Sequence, residues 1–309
     1  MTREASRRLV IGTRGSTLAL KQVDIVTEAL MSTNSAVEVE RLIIRTEGDR
    51  RTDVTLEQLG GQGVFVKDIE GRLLAGEIDI AVHSLKDMPA QSPDGLVIGA
   101  VLPRADVRDV LISRNNLTLA ELPSGARIGT DSRRRAVQLQ AMRPDVGVES
   151  IRGNVDSRIR KVAEGLYDAV VLAAAGLERL GMLDRASQIF TTDQILPAIG
   201  QGVLAVQCRA EDVSTLEQLR AIDDSATRYA ITAERAFLAR LGAGCRLPVA
   251  AYATLNEGKL SVRGFVATET GLRWSGATWG FPADAEALGA GLAESLGAEA
   301  GIIPEVMEP

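Results

Sequence analysis

Hydrophobic positions over the first two thirds of the chain alternate between two patterns. Short runs rich in Val, Ile and Leu read as buried strands: RLVIG (8–12), VEVERLII (37–44), DIAVHS (79–84), LVIGAV (96–101), DVLIS (109–113), ARIG (126–129), GVESI (147–151) and DAVVLA (168–173). Between them, STLALKQVDIVTEAL (16–30), VFVKDIEGRLLAG (64–76), SRRRAVQLQAM (132–142), NVDSRIRKVAEG (154–165) and AAGLERLG (174–181) place apolar residues at helical spacing. This alternation from residue 8 to about 200 predicts α/β layering. After about residue 222 the pattern changes. A helix over 226–241 leads into a segment, 249–279, that reads as antiparallel strands joined by Gly-containing turns, and a helix over 284–297 closes it. That region predicts a separate, smaller α+β domain.

One internal echo adds to this picture. VIGTRGSTLAL (10–20) and RIGTDSRRRAV (127–137) both run from a strand through Ile-Gly-Thr and a polar turn into a helix. Two α/β domains of similar build follow, each presenting a strand-to-helix turn at the carboxyl edge of its sheet, where open α/β sheets bind ligands. The two turns are expected to face each other across a cleft. Ser16 and Ser132 are the natural N-caps, and free N–H groups at a helix start favour anions.

Charge sharpens the expected client. The net charge of −6 argues against non-specific nucleic-acid binding. Of the 35 basic residues 5 are Lys, leaving 30 Arg, whose planar fork matches a carboxylate with two hydrogen bonds. Between Arg127 and Lys161 nine basic residues face only Asp131, Asp145, Glu149 and Asp156. An acidic protein with one strongly positive segment suits an anionic small molecule. No apolar run is long enough for a secretory signal or a membrane helix, which makes the cytoplasm the default compartment.

The candidate chemistry is concentrated in a few stretches. LGGQGVF (59–65) lacks the G-K-[ST] of a P-loop and reads as a hinge or lid before a helix starting near Phe65. VHSLKDMP (82–89) ends a strand with Ser84, Lys86 and Asp87. Read plainly it is a solvated strand exit; read functionally, Asp87 beside a cation is an acid-base or charge-stabilising carboxylate. His83, the single histidine, alternates away from Ser84 and reads as packed core. Arg133, Arg134, Arg135, Arg152, Arg158 and Arg160 are either solvated helix faces or groups converging on an anion-binding edge. Cys208 fits a small buried hydrophobe. Cys245, in LGAGCRLP (241–248), has glycines before it and Arg246 after it, and reads as a covalent attachment point or a nucleophile. Two such cysteines make neither a disulfide framework nor a zinc site.

With IGTRGSTLAL, RTEGDR, GGQGVFVKDIE, DIAVHSLKDMP, IGTDSRRRAVQL, IRGNVDSRIRK, YDAVVLAAAGLERLG, LPAIGQGVLAVQCR and TAERAFLARLGAGCRLPVAAY in order, the chain resembles the porphobilinogen deaminase (hydroxymethylbilane synthase) family along nearly its whole length. The resemblance implies two periplasmic-binding-protein-like α/β domains plus a smaller C-terminal α+β domain, with boundaries at 1–102 and 199–221, 103–198, and 222–309. It implies synthesis of hydroxymethylbilane from four porphobilinogen molecules with release of ammonia, in a monomer, without metal, nucleic acid or membrane. Its dipyrromethane cofactor is implied to hang by a thioether from Cys245. Asp87 matches the catalytic aspartate, and Phe65 belongs to the lid, whose loop spans 47–63. Arg14, Lys86, Arg134, Arg135, Arg152, Arg158 and Arg179 are implied to bind acetate and propionate groups, with Ser16, Ser84, Thr130 and Ser132 as hydrogen-bonding neighbours. Asp131, Gln62 and Leu247 depart from the family's usual residues. A rival class, a non-catalytic sensor or solute-binding module, accounts for the echo and the arginines but leaves Cys245 unexplained; an inactive member is disfavoured because Asp87 and Cys245 are both present.

Overall fold

The computed structural model describes residues 7–33, 37–50, 63–242, 247–268 and 271–302. Two compact units emerge: Met1–Arg104 with Val203–Arg228, and Ala105–Gly202 with Tyr229–Pro309. Unit one opens with β1 (Arg7–Thr13), α1 (Thr17–Thr33), β2 (Val37–Ile43), the single turn α2 (Glu47–Arg50), α3 (Lys67–Leu74), β3 (Ile80–Ser84) and β4 (Leu96–Val101). Unit two continues with β5 (Asp109–Ser113), β6 (Arg127–Gly129), α4 (Arg133–Met142), β7 (Gly147–Glu149), α5 (Val155–Ala163), β8 (Ala169–Ala173), α6 (Ala174–Arg179) and β9 (Gln188–Ile189). The chain returns to unit one in β10 (Leu204–Arg209) and α7 (Val213–Arg220). It ends through α8 (Ser225–Leu241), β11 (Val249–Asn256), β12 (Lys259–Ala267), β13 (Arg273–Gly280) and α9 (Ala285–Glu299).

The two α/β sheets share one topology. Unit one orders its strands β2, β1, β3, β10, β4, and unit two orders its strands β7, β6, β8, β5, β9. In each, three parallel strands are followed by an antiparallel one, β10 or β5, which pairs with both of its neighbours. The echoed Ile-Gly-Thr falls at matching places: Gly12 pairs with Ala81 of β3, and Gly129 with Val170 of β8. Isoleucine side chains close on both glycines. A Cβ at Gly12 would meet Ile78 at 2.3 Å, and one at Gly129 would meet Ile151 at 2.9 Å.

Alternating faces of β1 and β3 pack in opposite directions, as a strand period of two requires. Leu9, Ile11, Ile80 and Val82 join Val23, Val26 and Leu30 of α1 in one core, and Ala81 joins Ile69 and Leu73 of α3 in another. Each such fully buried aliphatic side chain contributes roughly 1.5–3 kcal/mol. Predicted strands and helices through residue 181 appear within a few residues of their expected bounds. The strand β10 and helix α7 lie past residue 200, where the residue pattern alone predicted no α/β element, in the 199–221 segment that the resemblance assigned to the first α/β domain. LAVQCR opens as an unbroken apolar run and turns polar on one face only at its end, where Gln207 donates to Glu70 and Arg209 to Leu73 O and Ile78 O, so little alternation marks it.

Unit two also holds the antiparallel sheet β11, β12, β13. Glu234 of α8, fully buried, accepts hydrogen bonds from Gly200 N at 2.7 Å and Ala253 N at 2.8 Å, fixing β11 and the 198–202 segment to one helix. Leu196, Ala250, Phe265 and Ala267 pack together beside Val137 of α4.

Candidate functional site

At the carboxyl edge of the unit-one sheet, β1 ends in the turn that starts α1. Ser16 Oγ accepts from Ala19 N at 3.3 Å, the expected cap. The half-buried Arg14 places its guanidinium 3.8 Å from the centroid of the Phe65 ring, a cation–π stack. That ring occupies the space a Gly48 side chain would fill, and α2 is further held by Asp68, whose carboxylate accepts from Glu47 N at 2.8 Å. Beside this turn β3 ends at Ser84, whose Oγ accepts from the buried Gln22 Nε2 of α1 at 2.8 Å.

The chain then makes a 3-10 turn over Leu85–Asp87. Buried Leu85 and Met88 pin the turn, leaving Lys86 and Asp87 half-buried. Among the described residues the Asp87 carboxylate takes no hydrogen bond or ion pair, so its oxygens are available for chemistry. His83 points away from this edge. Burial pushes its pKa down to about 4, which the neighbouring Gln207 amide only partly offsets, so it is a neutral core residue. Cys208 is likewise buried, its thiol pushed up to about 11 by desolvation.

The unit-two edge is built on the same turn but charged differently. Thr130 Oγ1 accepts from Ser132 N at 3.2 Å, and Ser132 Oγ caps α4 by accepting from Arg135 N at 3.4 Å. Arg134 and Arg135 do not lie on a solvated face: both are buried and turn onto Asp109, which is fully buried at the start of β5. Arg135 donates through Nε at 3.0 Å and Nη2 at 2.6 Å to Asp109 Oδ1. Arg134 Nη1 lies 2.8 Å from Asp109 Oδ2 and donates to Leu196 O at 2.7 Å. Gln201 Nε2 completes the set at 2.9 Å. Burial pushes the Asp109 carboxyl up, but the two guanidinium groups outweigh it and hold it well below the usual carboxylate range.

Arg158 Nε donates to Gly153 O at 2.7 Å, and its Nη2 lies 3.7 Å from Asp131 Oδ2. Arg152 is half-buried just before α5, its carbonyl accepting from Lys161 Nζ at 3.0 Å. Arg179, at the end of α6, donates to Gly202 O at 2.7 Å, and burial lowers its pKa to about 10. Thus Thr130, Ser132, Arg134 and Arg135 sit together at one turn with Arg158 near it. The residue that organises the arginines, Asp109, is not among the candidates read from the sequence. Its signal was there: a lone acid opening an otherwise apolar strand. Gln22 and Gln201, buried amides inside helix and loop, gave no such signal.

Cys245, with residues 243–246, and Gln62, with residues 51–62 of the expected lid, lie outside the described residues. The residues on either side of the 243–246 segment are described. Gly242 leaves α8 at φ +59° and its N–H donates to Ala239 O at 3.1 Å, while the buried Pro248 accepts from Ala267 N at 3.0 Å as β11 begins.

The family described as porphobilinogen deaminase, dipyromethane cofactor binding domain, matches residues 9–217, and the porphobilinogen deaminase C-terminal domain matches 228–298. The porphobilinogen deaminase of Brevibacillus brevis is 51% identical over 262 residues, covering 84% of this chain and 85% of that protein. That of Roseiflexus sp. is 48% identical over 288 residues, covering 93% and 95%. Among solved structures, a YaeC-family lipoprotein from Enterococcus faecalis matches 70% of this chain and 91% of its own, with 15% identity and a TM-score of 0.42. Family matches that run through both units, together with relatives near half identity over most of the length, show that the chain belongs to the porphobilinogen deaminase family.

Proposed function

We propose that Asp87 is the carboxylate that handles the reacting pyrrole and that Cys245 is the attachment point of the cofactor. The chain is a transferase of tetrapyrrole biosynthesis: it joins four porphobilinogen molecules head to tail into hydroxymethylbilane and releases ammonia at each addition. The observation that carries the Asp87 assignment is its place at the end of β3, half-buried and unclaimed by any described partner, beside Lys86.

The chemistry asks for such a group. The aminomethyl substituent, protonated as an ammonium, loses its C–N bond, neutral ammonia leaves with the electron pair, and the remaining methylene shares its positive charge with the pyrrole nitrogen. A carboxylate next to that N–H stabilises the charge, and after carbon–carbon bond formation it accepts the proton the ring must lose. Partial burial strengthens both effects.

The donor set suits the dipyrromethane cofactor that the family carries, whose rings bear acetate and propionate groups. Arg134 Nε is buried without a hydrogen-bond partner among the described residues, an orphan donor of the kind an anion satisfies. When bound, the cofactor supplies the pyrrole carbon on which chain growth starts. Arg14, Ser16, Ser84 and Lys86 in unit one and Thr130, Ser132, Arg134, Arg135, Arg152, Arg158 and Arg179 in unit two are assigned to its carboxylates and those of the substrate, with Phe65 covering Arg14. Porphobilinogen is the small-molecule partner. A three-domain division at 1–102 with 199–221, 103–198 and 222–309, a monomeric state and a cytoplasmic location complete the reading. Among the described residues no helix is long and apolar enough to cross a membrane.

The test is Asp87→Asn, which keeps size and removes the charge. Turnover of porphobilinogen is expected to fall by a factor of about 10²–10⁴ with an unchanged melting temperature; near-normal turnover would take Asp87 out of the mechanism.

A further inference from the structure

Asp131 occupies the turn between β6 and α4, and the structure gives its two carboxylate oxygens different work. Oδ1 is structural: it accepts from Ser150 Oγ and, at 3.2 Å, from Ile151 N, tying the ends of β6 and β7 together. Oδ2 is buried, has no hydrogen-bond partner among the described residues, and lies 3.7 Å from Arg158 Nη2. Both side chains are close to four-fifths buried, at 18% and 19% exposure, so their interaction is only partly screened. Tyr167 donates to Ser150 O at 2.6 Å, and its hydroxyl is raised first by burial, then by Glu149 and Asp131, with Arg127 opposing.

We propose that Asp131 is an affinity-setting residue: an internal counter-ion that weakens the hold of Arg158 on a substrate carboxylate. This rests on the reading of Arg158 as a carboxylate-binding group. An incoming acetate or propionate meets a guanidinium whose charge is already partly offset, and it sits within a Debye length of a second carboxylate. A site that must grip carboxylates and then let a lengthening chain move past gains from a weakened grip at one arginine.

The experiment compares KM and kcat for porphobilinogen in Asp131→Asn, Arg158→Gln and the double variant. Asparagine keeps the Oδ1 acceptor for Ser150 and Ile151 and removes only the charge, so a purely structural role predicts no change in KM. The proposal predicts that D131N lowers KM by about two- to five-fold, with kcat moved less, that R158Q raises KM, and that adding D131N to R158Q has no further effect. Asp131→Ser, with a thermal melt alongside, serves if the asparagine variant does not fold. An unchanged or raised KM in D131N while R158Q raises KM overturns the proposal and leaves Arg158 in place. An unchanged KM in R158Q removes the reading of Arg158, and the proposal with it.

Discussion

The two carboxyl edges are built on one backbone plan and differ in where they keep their charge. In unit one the turn after Gly12 carries a half-buried Arg14 under the Phe65 ring, and the end of β3 is tied by neutral groups, Gln22 and Ser84. In unit two the turn after Gly129 is followed by Arg134 and Arg135, which are buried against Asp109. Asp109 pairs with Ala173 at the end of β8, the place that Leu204, opposite Ser84, holds in unit one. One topology thus hosts a neutral foundation beneath an acid at Asp87 and a charged foundation beneath an arginine cluster. The fold fixes where the edges are, and a handful of side chains decide what each edge does.

The largest effect that tests this contrast comes from Asp109→Asn. Removing the buried carboxylate leaves two buried guanidinium groups without their anion, and a loss of about 3–5 kcal/mol of folding stability is expected by denaturant titration. The sign with pH agrees. The folded-state pKa of Asp109 is depressed, so its stabilisation is present above about pH 4 and is lost as acid protonates it. Stability indifferent to D109N would mean that the charged foundation is not structural.

A smaller effect marks unit one. His83 titrates near 4 in the fold against about 6.5 unfolded, so protons bind the unfolded chain first. Stability is therefore full above pH 6.5 and falls by about 3 kcal/mol as pH drops to 4. His83→Gln should flatten that part of a stability–pH profile, whereas a retained slope would place its origin elsewhere. The Asp131→Asn change in KM is smaller still, and it bears on the unit-two edge alone.

Much of this was legible in the sequence, and the reasons are specific. Strands such as DIAVHS and DVLIS announce themselves by composition, and the repeated Ile-Gly-Thr marks matching turns because an isoleucine closes on each glycine. The inward placement of His83 followed from alternation along β3. The anchoring of Arg134 and Arg135 was not legible: a helix start rich in arginine looks the same whether or not its side chains also meet a buried Asp109 that lies 25 and 26 residues earlier. Strand β10 was not singled out because it opens as the apolar run Leu-Ala-Val and its polar residues, Gln207 and Arg209, come only at its end. Asp131 stood out in sequence as a departure, but only the geometry divides its oxygens between the backbone and Arg158.

The proposed attachment of the cofactor to Cys245 is tested by intact-mass spectrometry of the purified active enzyme. A mass above that of the polypeptide by one dipyrromethane, lost in Cys245→Ser together with activity, is the predicted result. An unmodified chain in fully active enzyme would contradict it.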